Sequence, residues 1–566
     1  MAKAHRGHGG ELLVDALRTH GADQVYCVPG ESYLAVLDAL HDAPEIRVTV
    51  CRQEGGAAMM ADAYGKLTGR PGICFVTRGP GATNASAGVH FAFQDTSPMI
   101  LFVGQVGRDM KEREAFQEID YRRMFGQMAK WIAEVDDASR LPEFVARAFQ
   151  TATSGRPGPV VLSLPEDMLS GPAELPATVR AMESWRRLET HPGSGDMQAL
   201  AKMLQGAERP FLLLGGPGWS GKAAEDIRQF AEAWRLPVGV AFRRQDHFDN
   251  GHSNYAGDVG IGINPKLSKR VRESDLLIAA GPRLGEMTTS GYSLIDIPKP
   301  KHPLVHIHPD AEELGRVYQA DLAIHAGLPE FAAAAAQLAA PSSIGWAGQA
   351  EQAHAEYLDW NAPVRTVGEV QMAEIVSWLT ARLPEDAIIC NGAGNYATWV
   401  HRFHRYRHYP SQLAPTSGSM GYGTPAAVAA KLLFPERPVI AFAGDGCFLM
   451  NGQELATAVQ YGANIVVLVV NNGMYGTIRM HQEREYPSRV SATGLTNPDF
   501  AALAQAYGAH GEIVARTEDF APAFERALAA GRPALIEIRI DPEAITARQS
   551  LSEIRAASLE KADAGS

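Results

Sequence analysis

The chain has 566 residues, of which 46% are hydrophobic and 20% are charged. These values are ordinary for a globular protein and allow about three to four domains. The net charge of −12 and the lack of a basic face argue against nucleic acid as a main partner. No stretch is apolar enough for a signal segment or a membrane span, so we expect a cytoplasmic protein without a membrane partner. The five cysteines show no CxxC spacing, which favours buried, reduced thiols over a thiolate metal site.

The pattern up to about residue 185 predicts a parallel sheet covered by helices. Short apolar runs alternate with helical patterns, as they do in βαβ units. The runs lie at residues 25–28, 46–50, 73–76, 99–103 and 160–164. The segment 192–195, Pro-Gly-Ser-Gly, predicts a linker to the next block.

The same alternation recurs in two further blocks. The apolar runs of the second block lie at residues 210–214, 237–241, 275–280 and 304–307, and those of the third at 387–390, 439–443, 465–470 and 534–540. The sequence therefore predicts an α/β protein with three doubly wound parallel-sheet domains, at residues 1–185, 195–342 and 365–550. We expect the polar tail, residues 551–566, to fray.

Polar residues follow two successive strands of the third block. Gly444-Asp445-Gly446 ends one apolar run, and Asn471-Asn472 ends the next. Because parallel strands end at the same edge of a sheet, we expect Asp445 and Asn472 side by side, where they suit a hard ion such as Mg²⁺. The backbone amides around Gly446 and Cys447, at a helix N-terminus, would face phosphate groups. The alternative is two turns that carry Asp and Asn as common turn formers.

A second motif places Glu54 at the start of a helix of small residues, directly after the run at 46–50. A Gly-rich turn at 77–84 lies between the apolar runs at 73–76 and 99–103. In isolation, Glu54 can be a first-turn residue that meets the helix dipole, which is worth from a few tenths to about 1 kcal/mol. The presence of the Gly-rich turn nearby in the sequence favours a functional role for the Glu54 carboxylate.

The order of motifs along nearly the whole chain resembles the acetolactate synthase (acetohydroxyacid synthase large subunit) branch of the thiamine-diphosphate enzymes. The matching segments are 28–30, Glu54, 79–84, 104–106, 115–118, 155–160, 421–423 and the motif at 444–472. The resemblance implies pyrimidine-binding, central and diphosphate-binding domains, in that order. It also implies bound thiamine diphosphate and Mg²⁺. The expected assembly is a homodimer or homotetramer, in which the first block of one subunit and the third block of its partner enclose the cofactor.

The resemblance also assigns roles to single residues. Glu54 is expected to bond N1′ of the aminopyrimidine ring. Asp445, Asn472 and the backbone carbonyl of Met474 are expected to hold the metal. The expected cofactor contacts are Asn395, Gly418, Met420, Gly446 and Cys447. Of these, Met420 would lie between the two cofactor rings, although methionine is also a common core filler.

The residues expected to face substrate include two departures from the family. By resemblance, the substrate contacts are Phe116, Gln117, Lys130, Thr477 and His481. Thr477 and His481 stand where the anabolic acetolactate synthases carry Met and Trp. Arg78 and Glu31 also stand where the family usually has small residues. A solvated helix position is the alternative for His481.

The activity implied by the resemblance is decarboxylation of a 2-oxo acid such as pyruvate, with transfer of the two-carbon unit to a second carbonyl. One alternative is a simple 2-oxo acid decarboxylase or an acyl-CoA lyase on the same scaffold. Another is a non-catalytic, cofactor-binding subunit. The presence of Glu54, Asp445 and Asn472 together argues against the last, because a binding-only descendant has no need of all three.

The second block contains a literal GxGxxG at residues 216–221, after the run at 210–214. A dinucleotide site needs an acidic residue about 20 positions further on. Arg243 and Arg244 stand near that position instead. Because many relatives bind FAD in this block, FAD stays an open alternative, but a structural Gly-rich turn is favoured.

Overall fold

The computed structural model describes residues 5–175 and 184–564. These residues form two compact units. The first unit contains residues 1–188, 428–433 and 453–461, and the second contains residues 189–427, 434–452 and 462–566. No helix in the described ranges is long and apolar enough to cross a membrane.

The first unit is built on a six-stranded parallel sheet with the order β3-β2-β4-β5-β7-β6, and β1 and β8 form a separate antiparallel pair. Its elements are β1 His5–His8, α1 Gly9–Thr19, β2 Gln24–Cys27, α2 Leu34–His41, β3 Arg47–Val50, α3 Glu54–Thr68, β4 Gly72–Val76, α4 Gly79–Asp95, β5 Met99–Gln105, α5 Tyr121–Phe125, β6 Trp131–Glu134, α6 Leu141–Thr153, β7 Pro159–Pro165, α7 Glu166–Ser170 and β8 Pro172–Leu175. Strands β4, β5 and β7 are buried along their whole length, as central strands of a covered parallel sheet are.

The second unit contains two more six-stranded parallel sheets. The sheet of the central segment has the order β11-β10-β9-β12-β13-β14. Its elements are α8 Ser194–Gln205, β9 Pro210–Leu214, α9 Gly221–Ala233, β10 Val238–Ala241, β11 Tyr255–Val259, α10 Pro265–Glu273, β12 Leu276–Ala280, β13 Leu304–His308, β14 Leu322–His325, α11 Leu328–Ala335 and α12 Gln349–Trp360.

The last sheet has the order β16-β15-β17-β18-β20-β19. The elements of this segment are α13 Met372–Arg382, β15 Ile388–Asn391, α14 Tyr396–Phe403, β16 Gln412–Leu413, α15 Gly423–Leu433, β17 Val439–Gly444, α16 Asp445–Asn451, α17 Glu454–Tyr461, β18 Val466–Asn471, α18 Gly476–Glu485, α19 Phe500–Ala506, β19 His510–Val514, α20 Thr517–Ala529, β20 Ala534–Arg539 and α21 Leu551–Ala564. Helix α17 belongs to the first unit.

The three parallel sheets confirm the predicted fold class, and every predicted apolar run overlaps a strand. The prediction of a fraying tail was wrong. Residues 551–564 form α21, whose Leu551 and Ile554 pack with Met480 and Ile545 in a small apolar cluster. Two apolar side chains at i and i+3, together with the ion pair of Arg555 with Glu483 at 2.8 Å, hold this otherwise polar helix against α18.

All five cysteines are buried as thiols, as predicted. Burial raises the pKa of Cys27 to about 11, and it also raises the pKa of Cys74. These thiols therefore stay protonated at neutral pH and behave as small apolar side chains.

Candidate functional site

Asp445 lies where β17 ends and α16 begins, and only 3% of the residue is exposed. Its carboxylate accepts hydrogen bonds from the Gly446 amide at 2.9 Å and from Nδ2 of Asn497 at 2.8 Å. Burial raises the pKa of Asp445, and the bond from Asn497 and the backbone amides of Gly446, Gly473 and Met474 offset part of the rise. Asp445 is therefore a buried carboxylate that meets the loop after β18 and has only neutral donors around it.

The two asparagines after β18 have different surroundings. Asn471 is held by the fold, because its Nδ2 donates to Glu537 at 2.8 Å and its Oδ1 accepts from the Gly473 amide at 3.0 Å. Oδ1 of Asn472 accepts from the Met474 amide at 3.2 Å. The Met474 carbonyl accepts from the Gly476 amide at 2.9 Å. Each of these carbonyl oxygens has a second lone pair that a metal ion could use.

Asn497 is a member of this site that the sequence did not indicate. Its Nδ2 donates to Asp445 and, at 3.0 Å, to Oδ1 of Asn471, so it joins the ends of β17 and β18. Its Oδ1 is buried and accepts no hydrogen bond in the described structure. The sequence carries no strong signal for this role, since an Asn before Pro498 reads as an ordinary turn residue.

A buried carboxylate with neutral neighbours and a buried amide oxygen without a donor fit a small hard cation. Within the described part of the chain, no three His, Cys, Asp or Glu side chains gather into a metal-binding group. That finding excludes a site of several carboxylates or thiolates there, and it leaves a site of one carboxylate with amide and carbonyl oxygens. The oxygen atoms available as metal ligands near Asp445 are of this second kind, one carboxylate with amide and carbonyl oxygens.

Close packing of backbone explains the glycines around α16. An added Cβ at Gly446 would lie 2.5 Å from the Tyr475 ring, and one at Gly392 would lie 2.6 Å from Sγ of Cys447. Gly446 and Cys447 lie in the first turn of α16, and no side chain caps that helix. Because the Gly446 amide already donates to the Asp445 carboxylate, the first-turn amide that suits an anionic ligand is that of Cys447.

Cys447 also holds neighbouring loops together. Its Sγ accepts from the Gly421 amide at 3.2 Å and lies 3.3 Å from the Tyr396 hydroxyl. The same hydroxyl accepts from the Gly392 amide at 3.0 Å. The thiol thus links the loop after β15, the start of α15 and the start of α16.

The structure brings together Asn395 and Thr477, which the sequence placed in different roles. The Asn395 amide donates to Oγ1 of Thr477, and Oγ1 donates to Oδ1 of Asn395, each at 2.9 Å. Nδ2 of Asn395 donates to the Ile545 carbonyl at 3.1 Å. This pair joins the loop after β15 to the start of α18.

Gly418 and Met420 lie in the loop before α15. Gly418 is exposed and has φ +68°, a left-handed conformation that favours glycine. Its amide donates to the Pro415 carbonyl at 3.0 Å. Met420 is half-buried, so its side chain is not a plain core filler.

Glu54 is the first residue of α3, in the first unit. Its Oε2 accepts from Nδ2 of Asn84 at 2.9 Å. An added Cβ at Gly81 would lie 3.5 Å from its Oε1. The predicted Gly-rich turn is helical from Gly79 onward, because α4 begins there, and the carboxylate lies against the first turns of α4. A first-turn position also suits the helix dipole, so the geometry alone accommodates both sequence interpretations.

The remaining substrate candidates have mixed surroundings. Phe116 is 72% exposed, and the Gln117 carbonyl accepts from the Gly79 amide at 2.9 Å. Lys130 donates to the carbonyls of Thr151 and Ser154 at 2.5 and 2.6 Å. Because these carbonyls end α6, Lys130 has a helix-capping role.

His481 is exposed on α18. Arg78 and Glu31, the two departures in the first unit, form an ion pair at 3.7 Å, and Arg78 also pairs with Glu166. The positive charge of Arg78 is therefore compensated by two carboxylates of the same unit.

The GxGxxG of the central segment has a packing explanation. Gly216 has φ +72°, and an added Cβ there would lie 1.9 Å from the Gly281 carbonyl oxygen. Nε1 of Trp219 donates to the Gly215 carbonyl at 2.8 Å, and Nε2 of His247 lies 3.2 Å from the Gly216 carbonyl. The two rings meet edge to face at 5.5 Å. Trp219 and His247 therefore occupy the space beside the carbonyls of Gly215 and Gly216.

Three family models match the chain. The N-terminal TPP (thiamine pyrophosphate) binding domain matches residues 7–124, the central domain matches 197–335, and the C-terminal TPP binding domain matches 392–538. The acetolactate synthase large subunit of Parasynechococcus marenigrum is 32% identical over 94% of this chain and 87% of its own length. This chain belongs to the acetolactate synthase family of thiamine-diphosphate enzymes.

Other members of the acetolactate synthase family match to a similar extent. The isozyme 2 large subunit of Escherichia coli is 30% identical over 94% of this chain and 96% of its own length. The acetolactate synthase of Mycobacterium bovis is 31% identical, with 97% and 91% covered. The predicted family is confirmed, whereas the domain boundaries and the roles of single residues stay predictions.

Proposed function

We propose that the protein decarboxylates a 2-oxo acid such as pyruvate and joins the two-carbon unit to a second carbonyl, as the name acetolactate synthase implies for its relatives. The observation that carries the proposal is the buried Asp445, which lies against the loop after β18 with only neutral donors around it. A bound cation would compensate the charge of this carboxylate in its ionised form. A family cofactor held through a divalent ion supplies one.

The residues of the second unit would hold this cofactor as follows. Asp445, Asn472 and the carbonyl of Met474 would hold Mg²⁺. Diphosphate oxygens would meet the amides of Gly446 and Cys447. The remaining cofactor contacts that we propose are Asn395, Gly418 and Met420. When bound, thiamine diphosphate supplies a carbanion that attacks the oxo group and accepts the electron pair left by departing CO₂.

Glu54 would hold and move a proton at N1′ of the aminopyrimidine ring. Its bond from Asn84 and its contact with the Gly-rich turn support this role, because both restrict the direction of the carboxylate. General acid–base roles of this kind contribute about 10² to 10⁴-fold. A helix-start carboxylate without this role would affect stability alone.

Substrate would be met by Phe116, Gln117, Thr477 and His481. Two of these, Phe116 and His481, are exposed in their own units, so a partner surface or the substrate itself has to cover them. Lys130 is the least supported member of the set, since helix-end carbonyls already occupy its ammonium group.

We also propose a homodimer or homotetramer in a reducing, cytoplasmic setting. Each unit leaves large apolar side chains exposed. In the first unit these are Leu34, Met110, Phe116 and Leu188, and in the second they include Leu449, Met450, Ile478 and Tyr486. Exposed apolar groups of this size are typical of surfaces that another chain covers. Sedimentation at micromolar concentration tests this assembly, and a fully active monomer contradicts it.

FAD is not part of the proposal. Gly216 meets the backbone of Gly281, Gly215 meets the side chains of Ala241 and Pro282, and Trp219 and His247 contact the carbonyls of this turn. A Gly-rich turn that packs the fold together needs no dinucleotide. A flavin absorbance band that stays with the purified, folded protein contradicts this statement.

The decisive experiment is product analysis of the purified protein with thiamine diphosphate, Mg²⁺ and pyruvate. A carboligase gives 2-acetolactate, whereas a simple decarboxylase gives acetaldehyde. Glu54→Gln is the matched variant, and we expect it to bind the cofactor but to form product about 10² to 10⁴-fold more slowly. Wild-type protein that binds no thiamine diphosphate overturns the proposal.

A further inference from the structure

Glu454 is a fully buried carboxylate of the first unit with no role in the proposed chemistry. Its Oε1 accepts from two successive backbone amides, those of Arg52 and Gln53, each at 3.0 Å. Its Oε2 accepts from Oγ1 of Thr457 at 2.6 Å. Burial raises the pKa of Glu454, and these three hydrogen bonds offset part of the rise.

The two amides that Glu454 binds directly precede Glu54. Amides at the start of a helix have no partner within the helix. Here Glu454 takes those of Arg52 and Gln53, while the Gln53 side chain accepts from the Gly56 amide at 3.1 Å. An added Cβ at Gly56 would lie 2.6 Å from Oε1 of Glu454. Gly56 is therefore a glycine because the carboxylate occupies the adjacent space.

Two more side chains of α17 contact the same strand-to-helix connection. The Tyr461 hydroxyl accepts from the Val50 amide at 2.8 Å and donates to the Val48 carbonyl at 3.3 Å. Oε1 of Gln460 accepts from the Arg52 guanidinium at 2.6 Å. Glu454 and Tyr461 are seven residues apart, so they share one face of α17. This face covers the edge strand β3 and the start of α3.

We propose that Glu454 is a positioning residue, which fixes the backbone at Arg52 and Gln53 and thereby the direction of the Glu54 carboxylate. The inference rests on the proposed function. Because one carboxylate oxygen accepts from both amides, Glu454 holds two successive peptide groups in fixed directions. A shift of about 1 Å in a reacting group can cost on the order of 10²-fold in rate.

The test compares Glu454→Ala, Glu454→Gln and Tyr461→Phe in the full chain with thiamine diphosphate and Mg²⁺. The readouts are cofactor affinity by calorimetry, exchange of the cofactor's C2 proton with deuterated water, and protection of the backbone amides of Arg52 and Gln53. We expect Glu454→Ala to slow C2 exchange at saturating cofactor by roughly 10- to 100-fold. Cofactor affinity should stay the same and the two amides should lose protection.

The other variants separate positioning from stability. Glu454→Gln keeps an acceptor oxygen and should recover most of the C2 exchange rate. Tyr461→Phe removes the two hydrogen bonds to β3 and leaves those of Glu454, so it should lower the unfolding temperature and leave C2 exchange unchanged. If Glu454→Ala does not fold, Glu454→Asp replaces it, since the shorter side chain cannot reach both amides and should also slow exchange.

Two results overturn the inference, and they can be told apart from failure of the proposed function. If the C2 proton exchanges at the wild-type rate in folded, cofactor-saturated Glu454→Ala or Glu454→Asp, then Glu454 has a purely structural role. Unchanged protection of the Arg52 and Gln53 amides has the same meaning. Wild-type protein without cofactor-dependent exchange overturns the proposed function and the inference together.

Discussion

The second unit contains two glycine-rich turns that follow parallel strands, one after β9 and one after β17. The turn after β9 is filled, because the carbonyls of Gly215 and Gly216 meet Trp219 and His247. The turn after β17 instead presents the buried carboxylate of Asp445, with only neutral donors around it. Glycine spacing is similar in both, so it does not identify a ligand site. What distinguishes them is whether the protein's own side chains satisfy the polar groups.

The largest expected effect concerns the filled turn. Gly216→Ala places a Cβ 1.9 Å from a backbone oxygen at φ +72°, so we expect a loss of about 3 kcal/mol or more in the free energy of unfolding. Chemical denaturation measures this. Gly221→Ala is the matched control from the same motif, since its Cβ would have nothing closer than 4.0 Å. A folded Gly216→Ala protein of wild-type stability contradicts the packing explanation.

The second effect concerns the other turn. Asp445→Ala removes the one charged ligand proposed for Mg²⁺, so we expect thiamine-diphosphate affinity to fall by about 100-fold, measured by calorimetry. Extra Mg²⁺ should restore part of it. Asp499→Ala is the control, because it removes a carboxylate that caps α19 by accepting from the Ala502 amide. Equal affinities in Asp445→Ala and wild type would remove the distinction between the two turns.

The same carboxylate gives a stability prediction of opposite sign. Burial raises the pKa of Asp445 above 3.8, so its contribution to stability is full below the unfolded pKa. That contribution is lost as the pH rises through the folded pKa. Cofactor-free Asp445→Asn should therefore be at least as stable as wild type at pH 7, as thermal unfolding would show. A clear destabilisation would mean that the ionised form is already compensated within the protein.

Asn497 allows a finer test. Its hydrogen bond lowers the pKa of Asp445, so Asn497→Ala should raise that pKa further. Because a cation binds the ionised carboxylate, we expect cofactor affinity to fall about tenfold at neutral pH. The acid loss of binding should also begin at a higher pH than in wild type. A pH profile of affinity measures both, and an unshifted profile would place Asn497 outside the site.

The smallest effect returns to the filled turn. Trp219→Phe removes the indole donor to the Gly215 carbonyl and keeps an aromatic ring, which should cost about 1 kcal/mol of unfolding free energy. Cofactor affinity should not change. A large change in affinity with unchanged stability would show that this turn faces a ligand.

Local patterns predicted much of this molecule. Runs such as 465–470 are β-branched and bounded by turn residues, so strand β18 and the place of Asn472 at its end could be predicted from neighbours in the chain. Helix α21 could not be predicted in this way, because its few apolar residues form no clear pattern by themselves. They are buried only by packing against Met480 and Ile545. Short edge strands such as β6 are also missed by sequence patterns, because β6 is defined by its pairing with β7.

The site was predictable to the extent that its residues follow strands. Asp445 comes directly after β17 and Glu54 shortly after β3, so parallel-sheet geometry places each at the carboxyl-end edge of its own sheet. Asn497 and Glu454 act through contacts with residues 52 and 402 positions away. A single sequence holds no periodic signal over such separations.

The placement of α17 in the first unit has a consequence for dividing the gene. Residues 453–461 belong with 1–188, although the chain on either side of them belongs to the second unit. A fragment cut at residue 188 would lack the hydroxyl that pairs with the edge strand β3 and the carboxylate that caps the turn before α3. Unpaired edge strands invite aggregation. The two units are therefore interleaved along the polypeptide, and neither can be expressed as one uninterrupted stretch without losing part of itself.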